Sequence, residues 1–243
     1  MTVLGGCGTW PTGELACSGY IVEHEGFRLL VDPGCATLPR LLRRLTVDAV
    51  DAVLLSHCHP DHCADLNPLL RARGLSNEPP TPLPVHAPHK ALDAVLALDR
   101  PGMLAAAYRL HEFHPSDLLR IVPFTVDTRR LPHFVPQRRP PDQHSGGRAH
   151  LHRRHRSKRG HPGPGRRRGS SPVRGDVRPS GPVNRRRPCL PTARLAGRHT
   201  RQAGEKQLLL THLWPGTDPA AALRAAAFAG PTDIAAPYLV VHL

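Results

Sequence analysis

The stretch SHCHPDH, residues 56–62, is the most informative part of this chain. It places three imidazoles and one carboxylate within six residues: His57, His59, Asp61 and His62. Alternate residues of an extended tip project to the same side, so the first two can point together while the last two turn toward the other side of the same cavity. Imidazole nitrogen and carboxylate oxygen are the usual donors for zinc and also suit manganese or iron. The spacing therefore indicates two adjacent divalent ions, against the alternative of a solvated histidine-rich loop without a ligand.

The residues on either side of this stretch are typical of a folded α/β protein. VDAVLLS, residues 50–56, is an apolar run expected of a strand covered on both faces, and residues 64–73 predict a helix that Gly74 ends. Residues 17–34 contain two apolar runs around Glu25 and Gly26, which predicts a β-hairpin. Four leucines spaced as on one helix face predict an amphipathic helix. These are Leu38, Leu41, Leu42 and Leu45.

Strand and helix patterns also follow further along the chain. PLPVHAP (82–88), residues 117–134 and LLLTHLWPG (208–216) supply strands, and HKALDAVLALD (89–99) supplies a helix. Residues 192–207 and 218–230 predict two more helices. Helices and strands therefore occur on both sides of the middle of the chain.

The charge of the chain is concentrated in one segment. The 243 residues have a formal net charge of +14, and residues 137–191 contain 16 of the 33 Lys and Arg but only 2 of the 19 Asp and Glu. This basic segment has 9 Pro and 8 Gly, no Phe, Trp or Tyr, and five Val, Ile or Leu. Such a composition cannot bury enough apolar area to offset its ordering entropy. We expect folded parts at 1–136 and 192–243, separated by a disordered segment at 137–191.

The cysteines and the apolar runs bear on the compartment. The six cysteines show no pairing rhythm and no C-x-x-C spacing, which favours free thiols. No secretory signal opens the chain, and no apolar run approaches the roughly 18 residues of a membrane span. We expect a cytoplasmic protein that does not enter a membrane.

The string HCHPDH resembles the H-x-H-x-D-H signature of the metallo-β-lactamase superfamily. LGGCGTWP, LLVDPG and LLLTHLWPG stand in the order found in its ribonuclease-Z-like and cyclic-nucleotide-phosphodiesterase-like branch. The resemblance covers residues 1–136 and about 192–243. It implies a four-layer αββα sandwich with a dinuclear metal site along one edge of the sheets. Because the basic segment interrupts the second half, we expect that half to be incomplete.

The resemblance also implies the ligands and the reaction. His57, His59 and His133 would hold one ion, and Asp61, His62 and His212 would hold the other. Two such ions, zinc or else manganese or iron, would bind a hydroxide and lower the pKa of water toward about 7. Asp61 would orient this hydroxide and receive its proton. The implied function is hydrolysis of a small-molecule, nucleotide or RNA phosphodiester, and a homodimer is an expected assembly.

The family also requires an aspartate that bridges both ions, in a Gly-Asp-Thr or Gly-Asp-Ser turn between the third and last histidines. The nearest string is Gly175-Asp176-Val177, which no apolar strand precedes, and Arg154 stands at the bridging position. A guanidinium cannot ligate a cation and would repel it. The chain as written would then have a weak or single-ion site.

A shifted reading frame would explain this departure. HLHRRHR, residues 150–156, has a choice of codons that encodes Thr-Tyr-Thr-Gly-Asp-Thr-Gly when read one nucleotide later. With suitable codons, the same shift lets residues 137–139 become Asn-Ala-Gly, and it lets residues 174–177 become Glu-Ala-Thr-Tyr when the next codon is CGN. We therefore interpret the basic segment as a frame-shifted translation.

Two other functions stay open on the sequence. The basic segment could neutralise the phosphates of a nucleic acid, although it lacks the aromatic side chains that stack on bases. The chain could also be an inactive remnant of a metal-dependent hydrolase, since the bridging aspartate is missing.

Overall fold

A six-stranded sheet forms the larger half of the protein in the computed structural model, which describes residues 1–129, 148–150, 171–174 and 193–242. Its strands lie side by side in chain order: β1 (Thr2–Gly5), β2 (Gly19–His24), β3 (Phe27–Val31), β4 (Ala52–Leu54), β5 (Leu83–Pro88) and β6 (Tyr108–Phe113). The first three are antiparallel, and β3 to β6 are parallel to one another. The carboxyl ends of four strands therefore meet at one edge of the sheet, where the SHCHPDH stretch follows β4.

The β2–β3 hairpin confirms the sequence prediction. Its register pairs His24 with Phe27 across a two-residue turn. Glu25 and Gly26 in that turn have φ values of 49° and 83°. A two-residue turn with φ positive at both positions matches the right-handed twist of the flanking strands, and glycine adopts such a φ without strain.

Short helices cover one face of this sheet: α1 (Leu38–Leu41), α2 (Pro60–Cys63), α3 (Leu66–Gly74) and α4 (Asp93–Leu96), with a 3₁₀ turn at Val47–Ala49. Leu69 and Leu70 of α3 are fully buried in one cluster with Val53 and Val85 of the sheet. Removal of this apolar area from water is the main force that holds the helices on the sheet.

The predicted helices form, but several are shorter than the sequence indicates, and of the helix predicted at 89–99 only α4 is helical. The helix predicted at 64–73 begins two residues later, at Leu66, directly after Asp65, whose carboxylate accepts a hydrogen bond from the Leu38 N–H at 2.7 Å. The leucine stripe is only partly buried, because α1 is one turn long: Leu41 is buried, but Leu42 is 51% exposed. Gly74 ends α3, as predicted.

Two three-stranded sheets pack on the other face of the larger sheet. One contains the antiparallel strands β7 (Leu118–Ile121), β8 (Phe124–Arg129) and β9 (Arg148–His150), and the other contains the parallel strands β10 (Ser171–Arg174), β11 (Leu208–Thr211) and β12 (Thr232–Ile234). Ile121 and Val126 are buried with Leu54 of the larger sheet, and Leu209 is buried with Val3. These contacts make the two layers of sheet face each other.

Two further helices complete the sandwich on the outer side. The helices α5 (Ala193–Ala203) and α6 (Pro219–Ala226) are buried in one cluster with Leu208 and Leu210 of β11. The strand β11 is therefore covered on both faces, since Leu209 points to the opposite side. The order of layers is helices, sheet, sheet and helices, which confirms the predicted αββα fold.

The strands β9 and β10 come from the basic segment, for which the composition predicts disorder. They pair with β8 and β11 through backbone N–H and C=O groups, which do not depend on apolar side chains. The strand β10 ends at Arg174, so a strand does precede Gly175 in the structure. Its sequence, SPVR, is not the apolar run that would predict one. The remaining residues of the segment, including Arg154 and Asp176, lie outside the described residues, as does His133.

The cysteines and the helix lengths of the described residues are further features of the fold. The five cysteines within the described ranges are free. No helix in those ranges combines the length and the apolar character that crossing a bilayer requires.

Candidate metal centre

The loop after β4 positions four of the predicted side chains. His57 follows the buried residues of β4, and Pro60 begins α2, where its fixed φ and missing N–H cost nothing. The single turn of α2 then brings Asp61 and His62 inward, so that they are 7% and 4% exposed. His57 is 3% exposed and His59 is half-buried. The predicted metal-ligand stretch is therefore largely withdrawn from water.

Asp32, which follows β3, holds this loop in place. Its Oδ1 accepts the Ser56 N–H at 2.6 Å, and its Oδ2 accepts the Ser56 hydroxyl at 2.6 Å and lies 2.8 Å from His62 Nδ1. An ionised carboxylate only accepts hydrogen bonds, so His62 Nδ1 donates, which leaves Nε2 as the nitrogen that could bind a metal ion. A partner of this kind fixes the tautomer and the orientation of a metal-binding imidazole.

Asp32 is a residue of the site that the sequence patterns do not predict. The residue is 6% exposed, and its bond to His62 joins positions 30 apart. The sequence feature that could have identified Asp32 is a carboxylate directly after the apolar run in LLVDPG. Asp32 follows β3, and β3 is the parallel neighbour of β4.

Asp61, His62 and His212 come together from the two halves of the sandwich. His212 follows β11, and its Nε2 lies 2.7 Å from Asp61 Oδ2. His62 Nε2 lies 3.5 Å from the same oxygen. One ligand atom from each residue lies within 4.8 Å of the other two, and all three residues are buried. Two imidazole nitrogens and one carboxylate oxygen form a donor set that fits zinc, manganese or iron.

His57 and His59 lie directly beside this cluster. His57 Nδ1 is 2.9 Å from the Ser56 hydroxyl, and His57 Nε2 is 3.1 Å from His59 Nδ1. The ring centroids of His57 and His62 are 4.1 Å apart. The structure thus brings together five of the six residues that the sequence predicts as ligands, while His133 lies outside the described residues.

The glycine-rich loop after β1 closes the site. The Thr9 N–H donates to Asp61 Oδ2 at 3.0 Å. A Cβ atom on Gly8 would lie 2.5 Å from His212 Nδ1, and one on Gly34 would lie 2.1 Å from the Asp61 carbonyl oxygen. Only glycine allows backbone to approach this closely, which explains two of the glycines in LGGCGTWP and LLVDPG.

The electrostatic surroundings keep Asp61 ionised. Burial raises the pKa of its carboxyl group, but the hydrogen bond from His212, the charges of His62 and His212 and the Thr9 N–H together hold the pKa well below its usual range. Burial raises the pKa of the neighbouring Cys63 thiol to about 12. Among the described residues, the cluster of possible ligand atoms consists of two imidazole nitrogens and one carboxylate oxygen.

A family model matches more than half of the sequence. Residues 12–170 match the family model described as the metallo-beta-lactamase superfamily. This range includes SHCHPDH, and the αββα layers and the histidine cluster at the strand ends agree with it. The chain therefore belongs to the metallo-beta-lactamase superfamily.

Individual relatives match a smaller part of the sequence. The probable metallo-hydrolase YhfI of Bacillus subtilis is 42% identical over 73 residues, which are 30% of this chain and 30% of that protein. A ribonuclease Z of Methanopyrus kandleri is 34% identical over 137 residues, which are 56% of this chain and 47% of that protein. The chain spans about half or less of the length of these curated relatives.

Solved structures resemble the chain over a longer range. The metallo-beta-lactamase fold protein YhfI from Bacillus subtilis superposes with a TM-score of 0.75 at 22% identity, covering 100% of this chain and 98% of that chain. Human tRNase Z, short form, superposes with a TM-score of 0.65 at 17% identity, covering 99% of this chain and 97% of that chain. At these identities the likeness concerns the fold.

Replacement of Asp32 tests whether it positions His62. In Asp32→Asn the amide keeps the shape of the side chain but has one accepting oxygen instead of two. We expect the affinity for Zn²⁺, measured by competition with a chromophoric chelator, to fall by about 10- to 100-fold. The matched control is Asp51→Asn, because the exposed Asp51 carboxylate accepts a hydrogen bond from the Arg28 N–H before the start of β4. Equal Zn²⁺ affinity in the two variants would contradict the role of Asp32.

Proposed function

We propose that this chain is a metal-dependent hydrolase of phosphodiester bonds, in which Asp61, His62 and His212 hold one ion. The observation that supports the proposal most strongly is their buried cluster, with ligand atoms within 4.8 Å of one another. His57 and His59, which adjoin the cluster, are proposed to hold a second ion together with His133. Zinc is the proposed metal because histidine nitrogen and carboxylate oxygen are among its usual donors in proteins. Manganese or iron would suit the same donors.

The side chains of the cluster have distinct proposed roles in hydrolysis. A bound divalent ion would lower the pKa of a coordinated water toward about 7 and neutralise charge on the scissile phosphate. Asp61 is buried and ionised, so its carboxylate can orient the attacking water and is the proposed acceptor of the proton. The Thr9 N–H, which donates to Asp61 Oδ2, keeps that carboxylate in one orientation. Asp32 does the same for the imidazole of His62.

The names of relatives support a phosphodiester as the substrate. The relative from Methanopyrus kandleri is a ribonuclease Z, and a second ribonuclease Z, from Halorubrum lacusprofundi, is 38% identical over 88 residues. RNA is a polymer of phosphodiesters, so the proposed substrate is a nucleotide or an RNA. Other enzymes of the superfamily that carry this ligand set hydrolyse thioesters or β-lactams, and these are the alternative substrate classes.

We further propose that residues 137–191 result from a shifted reading frame and that the frame-restored protein is the active form. In sequence, Arg154 stands where the family has its bridging aspartate, and a choice of codons exists for which the shifted frame encodes a Gly-Asp-Thr turn there. The nucleotide sequence across codons 130–200 tests this. We expect two compensating frame changes, one near codon 137 and one near codon 191, after whose correction the protein holds two ions by plasma mass spectrometry, whereas the chain as written holds at most one. A clean open frame that encodes the basic segment would overturn the proposal.

Replacement of His212 tests the metal cluster itself. In the frame-restored protein, His212→Ala removes one of three clustered ligands, so hydrolysis of bis(p-nitrophenyl) phosphate by the Zn²⁺- or Mn²⁺-loaded protein should fall by about 100-fold or more. In the chain as written, the same variant should lose its bound ion. His199→Ala is the control, because His199 lies exposed on α5 and should leave both measurements unchanged. Full metal content and full activity in His212→Ala would contradict the proposed function.

A further inference from the structure

Both tryptophans of the chain are close in sequence to residues of the proposed metal centre. The sequence contains two, Trp10 and Trp214. Trp10 directly follows Thr9, whose N–H donates to Asp61, and Trp214 is two residues after His212. The two ring centroids are 5.9 Å apart, with the ring planes at 62°. Residues far apart in sequence thus form an aromatic pair, carried by the two loops whose Thr9 N–H and His212 side chain contact Asp61.

The backbone that carries this pair is the same backbone that positions His212. The Gly8 N–H donates to the Leu213 carbonyl at 2.8 Å, and the Trp10 N–H donates to the Gly8 carbonyl at 2.9 Å. Cys7 adds a hydrogen bond from its thiol to the Trp10 carbonyl at 3.3 Å. Backbone hydrogen bonds therefore connect Trp10, through Gly8, to Leu213, which directly follows His212.

The pair leaves aromatic surface exposed. Trp10 is 48% exposed, although a ring of this size gains more than other side chains from burial. Trp214 beside it is half-buried. An edge contact uses a face of only one ring, so at least one ring keeps both faces outside the pair. Trp10 also belongs to none of the four buried apolar clusters.

We propose that Trp10, supported by Trp214, is a stacking platform for the nucleobase next to the scissile phosphate. The proposal rests on the proposed function, because it takes the phosphate to lie at the metal cluster. A nucleotide carries its flat, aromatic base close to its phosphate, which matches an aromatic surface close to a metal cluster. Base stacking on aromatic side chains tolerates different bases, since every base has a π face. The substrate class is therefore nucleotides, with little preference among bases.

Two ligands that differ only by the base test the platform. Adenosine 5′-monophosphate and ribose 5-phosphate share the phosphate and the sugar, and both are titrated into the full chain loaded with Zn²⁺ by isothermal calorimetry. We expect the nucleotide to bind between about fivefold and a hundredfold more tightly, which is the range that one stacked base supplies. Tryptophan fluorescence should change with the nucleotide alone, and it reports on this pair because the chain has no other tryptophan.

Three variants separate stacking from a general effect on the fold. Trp10→Ala should remove the preference for the nucleotide, and Trp10→Phe should keep most of it because a phenyl ring also stacks. Leu15→Ala is the matched control, since Leu15 is an apolar residue of the same loop with 40% exposure, and it should keep the full preference.

The outcomes also distinguish this proposal from the proposed function. Equal binding of the two ligands, or an undiminished preference in Trp10→Ala, would overturn the platform and leave the metal-dependent hydrolase in place. If neither ligand binds more tightly with Zn²⁺ than without it, both proposals are wrong.

Discussion

A carboxylate that is removed from water needs other groups to replace its lost hydration, and the rest of the site depends on how Asp61 meets this need. Its partners come from the loop after β1, from the same turn of α2 and, across 151 positions of sequence, from the end of β11. The contact with His212 exists only when both halves of the sandwich are in place. Imidazoles that surround one negative charge in a buried site are also the donors that a divalent cation requires. The interaction that organises the fold at this edge therefore also prepares a cation site.

The larger sheet determines which side chains reach that edge. Because β3 and β4 are parallel neighbours, their carboxyl ends place Asp32 beside Ser56, and Asp32 in turn orients His62. The strand β11 is buried on both faces and brings His212 to the same edge from the second layer. Gly8 and Gly34 allow two loops to approach closely enough to close the site. Trp10 belongs to the same loop as Gly8, so the proposed ligands and the proposed stacking platform share one set of backbone contacts.

Local patterns in the sequence were sufficient for most of this arrangement. The H-x-H-x-D-H spacing, the turn at Glu25 and Gly26 and the apolar run of β11 are each readable within a few residues. The role of Asp32 was not, because it depends on which strands become neighbours. The start of α3 at Leu66 follows Asp65, whose carboxylate bonds to the distant Leu38 N–H, and the exposure of Leu42 depends on where α1 ends. The edge strand β6 (YRLHEF) was missed because it is mostly exposed and lacks an apolar alternation. His133 remains a prediction from the family resemblance.

X-ray absorption spectroscopy at the zinc edge, on the Zn²⁺-loaded protein, tests the central claim most directly. If buried imidazoles and the Asp61 carboxylate bind the ion, the nearest scatterers are nitrogen and oxygen at about 2.0–2.2 Å, with the multiple-scattering pattern of several imidazole rings. Cys63 and Cys35 are free thiols near the same loop, so the alternative is that a thiol sulfur binds the ion. A sulfur scatterer at about 2.3 Å, or protein that retains no zinc, would contradict a centre built from histidine and aspartate.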